Sequence, residues 1–162
     1  MGEVRSTFTW RRVVVLWVFL LILLPGSGVW AEERFVDNKD GTVTDTKTNL
    51  MWAKYDNQGD IAWRDAKAYC EHIILSKYED WRMPTIDELA TLYDKAAKGY
   101  ETDCGDWVKV NPAIRLSCGW VWAADNRAIT AHVFNFERGY RYTDLMRHKR
   151  NFRALPVRTI KK

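Results

Sequence analysis

The segment Asp80–Leu89 constrains the fold more than any other part of the chain, because it joins a short aromatic strand end to a recognisable helix start. Thr85 lies where an N-cap residue belongs, and Glu88, three residues later, completes a Thr-x-x-Glu capping box. Pro84 holds the entering chain extended. We therefore predict that a helix begins at Thr85, and that Arg82 forms an ion pair rather than contacting a ligand.

Residues 1–31 are predicted to be a signal peptide. Three arginines precede an uninterrupted apolar run, Val13–Leu24, and its 12 residues are fewer than the roughly 20 that a membrane-spanning helix needs. Val29-Trp30-Ala31 has small residues at the positions that a signal peptidase recognises. The alternative is an uncleaved anchor. We expect a mature single domain of residues 32–162 that is secreted or periplasmic, with no stable membrane span after cleavage.

The hydrophobic pattern of the mature chain predicts two helices between groups of short strands, which indicates an α+β fold. Asp60 is predicted to cap the first helix, 61–74, whose apolar face would contain Trp63, Ala66, Cys70, Ile73 and Ile74. The second helix would run from Thr85 to about Lys98 and end at Gly99. The predicted strands are 34–37, 42–45, 50–53, 119–123, 131–136, 140–142 and 152–158, with an Asp40-Gly41 hairpin turn between the first two.

Several motifs follow one another along the mature chain. They are Asp37-x-x-Asp40-Gly41-Thr42-Val43-Thr44-Asp45, Leu50-Met51-Trp52, Ala66-x-x-Tyr69-Cys70, the Asp80–Leu89 segment and Trp120-Val121-Trp122-Ala123. In this order they resemble the Lcl C-terminal domain family, exported bacterial domains of unknown function. The Asp80–Leu89 segment is more distantly similar to the Arg-Leu-Pro-Thr-Glu segment of formylglycine-generating enzymes. The resemblance implies a compact C-type-lectin-like domain, with short antiparallel strands and the first and last strands side by side.

Three cysteines in an exported domain predict one disulfide and one free thiol. Cys104 and Cys118 flank a polar loop, whereas Cys70 lies on the predicted apolar face of a helix. We therefore pair Cys104 with Cys118 and expect Cys70 to be buried and inert. A redox pair is the alternative, although no spacing here resembles Cys-x-x-Cys. Formylglycine-generating enzymes bind copper through a late cysteine pair, and because this chain has Ala154 in that region, their copper chemistry is not transferred.

Other patterns typical of chemistry are weak. The aspartates around Gly41 favour a turn over a calcium loop, because Lys39 occupies a ligand position and no glutamate closes the loop. The three histidines are far apart, which favours ordinary surface or packing roles. Ser76 and Ser117, the serines of the mature chain, lie outside any Gly-x-Ser-x-Gly motif. We predict no catalytic residues, no metal site and no cofactor.

Charge is unevenly distributed along the chain. Residues 32–137 contain 13 basic and 19 acidic residues, whereas residues 138–162 contain 9 basic residues and one acidic residue. The predicted ligand-binding residues are Arg138, Tyr140, Arg141, Tyr142, Arg147, Lys149 and Arg150, and the run continues with Phe152 and Arg153. Arginine suits sulfate, phosphate and carboxylate, and aromatic faces stack on sugar rings. The alternative is that these cations pair with the acidic part of the same chain or are simply solvated.

These features favour a non-enzymatic binding module at the cell envelope, with a glycan or polyanionic surface polymer as ligand and no nucleic-acid partner. The collagen-like adhesin that gives the resembled family its name is a glycan-binding surface protein, which adds to this expectation by analogy. One alternative is an enzyme related to formylglycine-generating enzymes, which a cleft of clustered acids, bases or metal ligands would favour. A structural envelope protein is the other alternative.

We predict cleavage after Ala31, because a short apolar run is followed by a Val-Trp-Ala ending. Intact-mass analysis of protein from an exported fraction should therefore identify Glu32 as the first residue. Recovery of the uncleaved chain from the membrane fraction would show that the segment is an anchor.

Overall fold

Two α-helices and ten strands make up the computed structural model, which describes Gly2 and residues 33–161. The strands are β1 (Phe35–Asp37), β2 (Thr42–Asp45), β3 (Leu50–Ala53), β4 (Tyr100–Glu101), β5 (Trp107–Val108), β6 (Trp120–Arg127), β7 (Thr130–Asn135), β8 (Tyr140–Leu145), β9 (Phe152–Arg153) and β10 (Val157–Thr159). The helices are α1 (Trp63–His72) and α2 (Ile86–Leu92). The predicted α+β class is confirmed, whereas the C-type-lectin-like assignment stays a prediction.

Glu32–Lys162 forms one compact unit. Apart from Gly2, the predicted signal peptide lies outside the described residues, including its apolar run and its cleavage site at Ala31. Within the described ranges, no helix is long and apolar enough to cross a membrane.

The first sheet has the strand order β1-β2-β3-β10, and all its pairs are antiparallel. The predicted hairpin turn is present: Gly41 has a φ of 88°, and the Asp40 carboxylate accepts hydrogen bonds from the Thr42 amide and hydroxyl. The expectation that the first and last strands lie side by side is wrong, because β10 pairs with β3 and β1 forms the opposite edge. β3 is buried at all four positions, so its backbone N–H and C=O groups need hydrogen-bond partners on both edges, whereas β1 is partly exposed.

The second sheet has the order β8-β7-β6-β9, and β4 and β5 form a separate ribbon. β6 is longer than predicted and contains a register shift between Trp122 and Asn126. This irregularity brings Asp125 to the start of α2, where its carboxylate accepts a 2.6 Å hydrogen bond from the Ile86 amide. The Ala124 amide also donates to the Pro84 carbonyl at 2.7 Å. The second sheet therefore positions the beginning of α2.

The predicted capping box at the start of α2 is confirmed. The Thr85 hydroxyl accepts from the Glu88 amide, and the Glu88 carboxylate accepts from the Thr85 amide at 2.8 Å. The prediction that this helix extends to Lys98 is wrong, because it ends at Leu92. Tyr93 turns to an extended conformation and forms a β-bridge with Val110, which draws the chain away from the helix axis.

Helix α1 is also shorter than predicted, and Asp60 does not cap it. The N-cap is Ala62, which has no side-chain hydrogen bond to the helix. The Asp60 carboxylate instead accepts from the Asn151 amide at 2.9 Å and from Arg153 at 2.8 Å. Ile74, which was predicted to lie on the buried face, is 72% exposed because the helix ends at His72.

Two apolar clusters lie on opposite faces of the second sheet, because successive strand residues point to opposite sides. We call these the α2 face and the α1 face, after the helices that pack on them. Val121, Ala123, Phe134 and Phe136 belong to the α2-face cluster, together with residues of the first sheet. The α1-face cluster contains Trp63, Ala66, Cys70, Met83, Trp122, Ala131, Val133, Phe152 and Ala154.

The segment before α2 is attached to the last strand. Arg82 and Val157 exchange two backbone hydrogen bonds of 2.9 and 3.0 Å. The Arg158 guanidinium lies 3.9 Å from the centroid of the Tyr78 ring and donates to Asp80 at 2.6 Å. The predicted ion pair of Arg82 is present with Glu88, at 2.6 Å. These contacts join α2 to the first sheet.

We predict that Asp80 makes folding stability depend on acid. Hydrogen bonding from Arg158 lowers the Asp80 pKa from 3.8 to about 2, so the folded state favours the ionised carboxylate. The stabilisation is therefore complete above about pH 4 and is lost as the pH falls towards 2. Asp80→Asn should lower the melting temperature at pH 7 and reduce its further decrease between pH 4 and pH 2, as measured by circular dichroism.

Glu137→Gln provides a control, because Glu137 is exposed and forms no ion pair among the described residues. Its acid dependence should match that of the wild type. If the melting temperature of Asp80→Asn depended on acid as that of the wild type does, the contact with Arg158 would not contribute to stability.

Candidate ligand-binding surface

A row of aromatic side chains lies on the α1 face of the second sheet. It starts at Trp122 and continues through Phe152, Trp120, Tyr142 and Tyr140, and we call it the aromatic row. The successive ring centroids are 4.5, 6.2, 5.1 and 6.4 Å apart. Trp122 is fully buried, whereas Tyr140 is 60% exposed. The row therefore leads from the core to solvent.

Helix α1 and the residues just before it hold the buried end of this row. The Trp63 indole N–H donates to the Ala123 carbonyl at 2.8 Å, and the Trp122 indole N–H donates to the Ile61 carbonyl at 3.0 Å. Tyr140 lies at the edge of the sheet, on β8. The buried rings are thus fixed by packing and hydrogen bonds, while the last ring keeps an accessible surface.

The structure separates the predicted ligand-binding residues of β8. Tyr140 and Tyr142 lie on the α1 face with Trp120, a residue that the predicted set did not include. Arg141 points to the opposite face because it lies between them in the strand, and its guanidinium contacts Asp87 of α2 at 2.6 Å. Arg141 is therefore not part of the aromatic surface. Trp120 and Trp122 are two positions apart in a predicted strand, so their side chains share one face. This pattern in the sequence could have placed Trp120 in the predicted ligand-binding set.

The other predicted cations are exposed. Arg138 lies in the turn between β7 and β8, where its backbone amide donates to the Asn135 side chain at 2.7 Å. Arg147, Lys149 and Arg150 lie in the segment that joins β8 to β9, the two edges of the sheet. This segment is held beside the start of α1, because the Met146 carbonyl accepts from the Trp63 amide at 3.0 Å. Among the described residues, none of these four cations forms an ion pair.

Arg153 and Phe152 do not belong to a ligand surface, which corrects the predicted run. Phe152 is buried within the aromatic row. The buried Arg153 guanidinium donates to the Ser117 hydroxyl at 2.7 Å, to Asp60 at 2.8 Å and to the Cys104 sulfur at 3.3 Å. Every arm of its guanidinium therefore contacts the same chain, and its role is to hold three loops together.

The disulfide predicted from the sequence is present between Cys104 and Cys118, whose Cα atoms are 5.1 Å apart. Residues next to both cysteines, Thr102–Asp103 and Arg115–Ser117, line a cleft of about 340 Å³. Tyr55, Asp56, Gln58, Tyr100 and Glu101 complete its walls. The disulfide thus connects the two sides of this cleft.

The buried acid of this cleft is Asp56, whose pKa is raised by burial. Its carboxylate accepts hydrogen bonds from the Ser117 amide at 2.7 Å, the Ser117 hydroxyl at 2.9 Å and the Gln58 amide at 2.8 Å. Ser117 in turn accepts from Arg153. Because both carboxylate oxygens already have donors from the same chain, the structure accounts for Asp56 without a catalytic role.

No group of histidine, cysteine, aspartate or glutamate side chains that could hold a metal ion occurs in the part of the chain that the structure describes. His148 contacts Asp144 at 2.7 Å, and His72 contacts the Ala68 carbonyl. Cys70 is the free cysteine, and it is buried as predicted. Burial raises the pKa of its thiol to about 12, so the reactive thiolate is disfavoured.

Comparison with known protein families gives a match. The family model of the Lcl C-terminal domain matches residues 41–158, which is more than half of the chain. No curated protein and no solved structure matches.

We predict that reducing the disulfide lowers the free energy of unfolding. Cys104 and Cys118 are 14 positions apart, and closing a loop of this length stabilises a domain by about 3 kcal/mol in the chain-entropy model. Denaturant unfolding with and without a reductant measures the difference.

A thiol reagent should label Cys70 only after unfolding, because the native side chain is fully buried. A peptide map that links Cys70 to another cysteine would contradict this pairing.

Proposed function

The chain belongs to the Lcl C-terminal domain family, and we propose that it is an exported, non-enzymatic binding module of the cell envelope, secreted or periplasmic. Its proposed ligand is a glycan or polyanionic surface polymer. The observation that carries the proposal is the exposed end of the aromatic row on the most basic part of the chain.

The aromatic row supplies a surface for sugar rings. Tyr142 is partly exposed, and the centroid of its ring lies 5.1 Å from that of Trp120, so the Trp120 ring packs against it. Tyr140 is the most exposed side chain of the aromatic row. An aromatic side chain that packing already orders loses little conformational freedom when a ligand stacks on it. These two tyrosines are therefore the proposed stacking residues.

The exposed cations supply the charge for an anionic ligand. Four basic residues of the C-terminal region form ion pairs within the chain: Arg141 pairs with Asp87, Arg153 with Asp60, and Arg158 and Lys161 both pair with Asp80. Arg138, Arg147, Lys149 and Arg150 are exposed and have no such partner among the described residues. The hypothesis of internal pairing thus accounts for the four paired cations but not for Arg138, Arg147, Lys149 and Arg150, which remain available to sulfate or carboxylate groups.

An enzyme related to formylglycine-generating enzymes is the second candidate, and the cleft at Asp56 is the observation that favours it. Ser117, Asp56 and Arg153 are close together there. The saturation of Asp56 by donors of the same chain argues against a general base, and no histidine or free cysteine lines the cleft. A binding module therefore accounts for the exposed tyrosines and the unpaired cations, which an enzyme with its site at Asp56 leaves unexplained.

We predict that the mature domain is retained on a sulfated-glycan column and released by moderate salt, because exposed charge contacts are screened beyond about 8–10 Å. Replacing Arg147, Lys149 and Arg150 by serine should abolish retention and leave the melting temperature nearly unchanged. Tyr140→Ala should weaken retention on the sulfated glycan but not on inorganic polyphosphate, which has no sugar ring to stack.

A matched control removes three exposed positive charges elsewhere, by replacing Lys47, Lys95 and Lys98 with serine. This variant should be retained like the wild type. Equal losses in both triple variants would indicate attraction by net charge alone, and unchanged retention in the Arg147, Lys149 and Arg150 variant would refute the proposed surface.

A further inference from the structure

The hairpin between β6 and β7 presents a strongly exposed apolar residue at its tip. Arg127 and Thr130 form the last pair of the hairpin, so Ala128 and Ile129 make the turn. Ile129 is 68% exposed and belongs to neither apolar cluster of the core. Its carbonyl accepts a 3.0 Å hydrogen bond from the Met146 amide, so the backbone of the turn is fixed. The fold uses the backbone of Ile129 but leaves its side chain in solvent.

This tip borders a hollow that is lined mainly by apolar residues. The hollow has a volume of about 400 Å³ and is lined by Ala62, Ala128, Ile129, Leu145 and Met146, together with Arg64, Asp65 and Arg147. Leu145 and Met146 are only partly buried. Single exposed apolar residues are common, but a contiguous apolar surface with a polar rim is typical of an interaction site.

The rim of the hollow is predominantly positive. Arg64 and Arg147 line it, and Arg127 precedes the tip in the same hairpin. All three side chains are exposed, and none forms an ion pair with a described residue. Asp65 is the single carboxylate among the residues that line the hollow. An occupant should therefore combine an apolar part with negative charge.

We propose that this surface docks reversibly on an anionic phospholipid membrane. The Ile129 side chain enters the boundary between headgroups and acyl chains. Leu145 and Met146, which line the hollow, contact the same layer of the membrane. The guanidinium groups of Arg64 and Arg127 contact the lipid phosphates. Apolar burial and attraction to anionic lipids add in such interfacial binding, which is weak and sensitive to salt.

The docking surface is separate from the exposed tyrosine of the proposed glycan surface. In the pairing of β7 with β8, Leu145 lies opposite Thr130 and Tyr140 lies opposite Asn135, so the two sites occupy opposite ends of β8. Arg147 is common to both sets. Arg64, Arg127 and Ile129 are therefore the residues whose replacement tests membrane docking alone.

The test is co-sedimentation of the protein beginning at Glu32 with vesicles of phosphatidylglycerol mixed with phosphatidylcholine, compared with vesicles of phosphatidylcholine alone. Binding should require phosphatidylglycerol and decrease with salt. Ile129→Ser should weaken it by about tenfold, since a buried isoleucine side chain is replaced by a polar one. Arg64→Ser combined with Arg127→Ser should weaken it at least as much.

Ile74→Ser is the matched control, because Ile74 is also strongly exposed, at 72%, but lies away from the hairpin after α1. It should bind vesicles like the wild type.

Ile129→Trp should strengthen binding, because tryptophan favours the membrane interface, and its fluorescence should shift to shorter wavelength with anionic vesicles.

The sulfated-glycan column separates this proposal from the proposed function. Ile129→Ser should be retained there like the wild type, and Tyr140→Ala should bind vesicles like the wild type. Absence of vesicle binding, or equal loss in Ile74→Ser and Ile129→Ser, would overturn the proposal. It would equally be overturned if glycerol phosphate abolished vesicle binding and Ile129→Ser had no effect, because the site would then recognise a soluble anion.

Discussion

The Arg158 guanidinium is almost fully buried, between the Tyr78 ring and the Asp80 carboxylate, in the strand that completes the first sheet. A guanidinium buried in this way is tolerated only when its charge is paired, so β10 and the segment around Asp80 are obliged to lie together. The same segment then meets β10 again through the two hydrogen bonds between Arg82 and Val157. Arg82 in turn forms an ion pair with Glu88, whose side chain completes the capping box. The capping box sets the direction of α2.

The position of the aromatic row follows from that arrangement. α2 packs against one face of β6 and β7, and the bulge of β6 receives its first turn through Asp125. This leaves the opposite face to α1, which is too short to cover the whole sheet. The tryptophans under α1 become core, while Tyr140 at the sheet edge stays exposed. One sheet face is thus both packing surface and candidate binding surface.

The basic residues near the C-terminus differ in burial and in ion pairing. Arg153 and Arg158 are buried and paired with acids of the earlier part of the chain, and they hold loops and strands that are distant in sequence. The cations between β8 and β9 remain on the surface beside the start of α1. The basic run therefore does not serve folding as a whole, since buried, paired cations alternate along it with exposed, unpaired ones.

Local signals in the sequence determined the Asp40-Gly41 hairpin, the capping box at Thr85 and the strand alternation of β6 and β7, because each depends on residues within a few positions. The sequence also indicated the Cys104–Cys118 disulfide and the burial of Cys70. Tertiary structure decided that Asp60 pairs with Arg153 instead of capping α1, and that Tyr93 ends α2 by bridging to Val110. It also brought Asp87 of α2 to the Arg141 guanidinium and set Trp120 beside Tyr142. These outcomes depend on partners between 17 and 93 residues away in the sequence, and no local pattern shows which distant group will contact a given side chain.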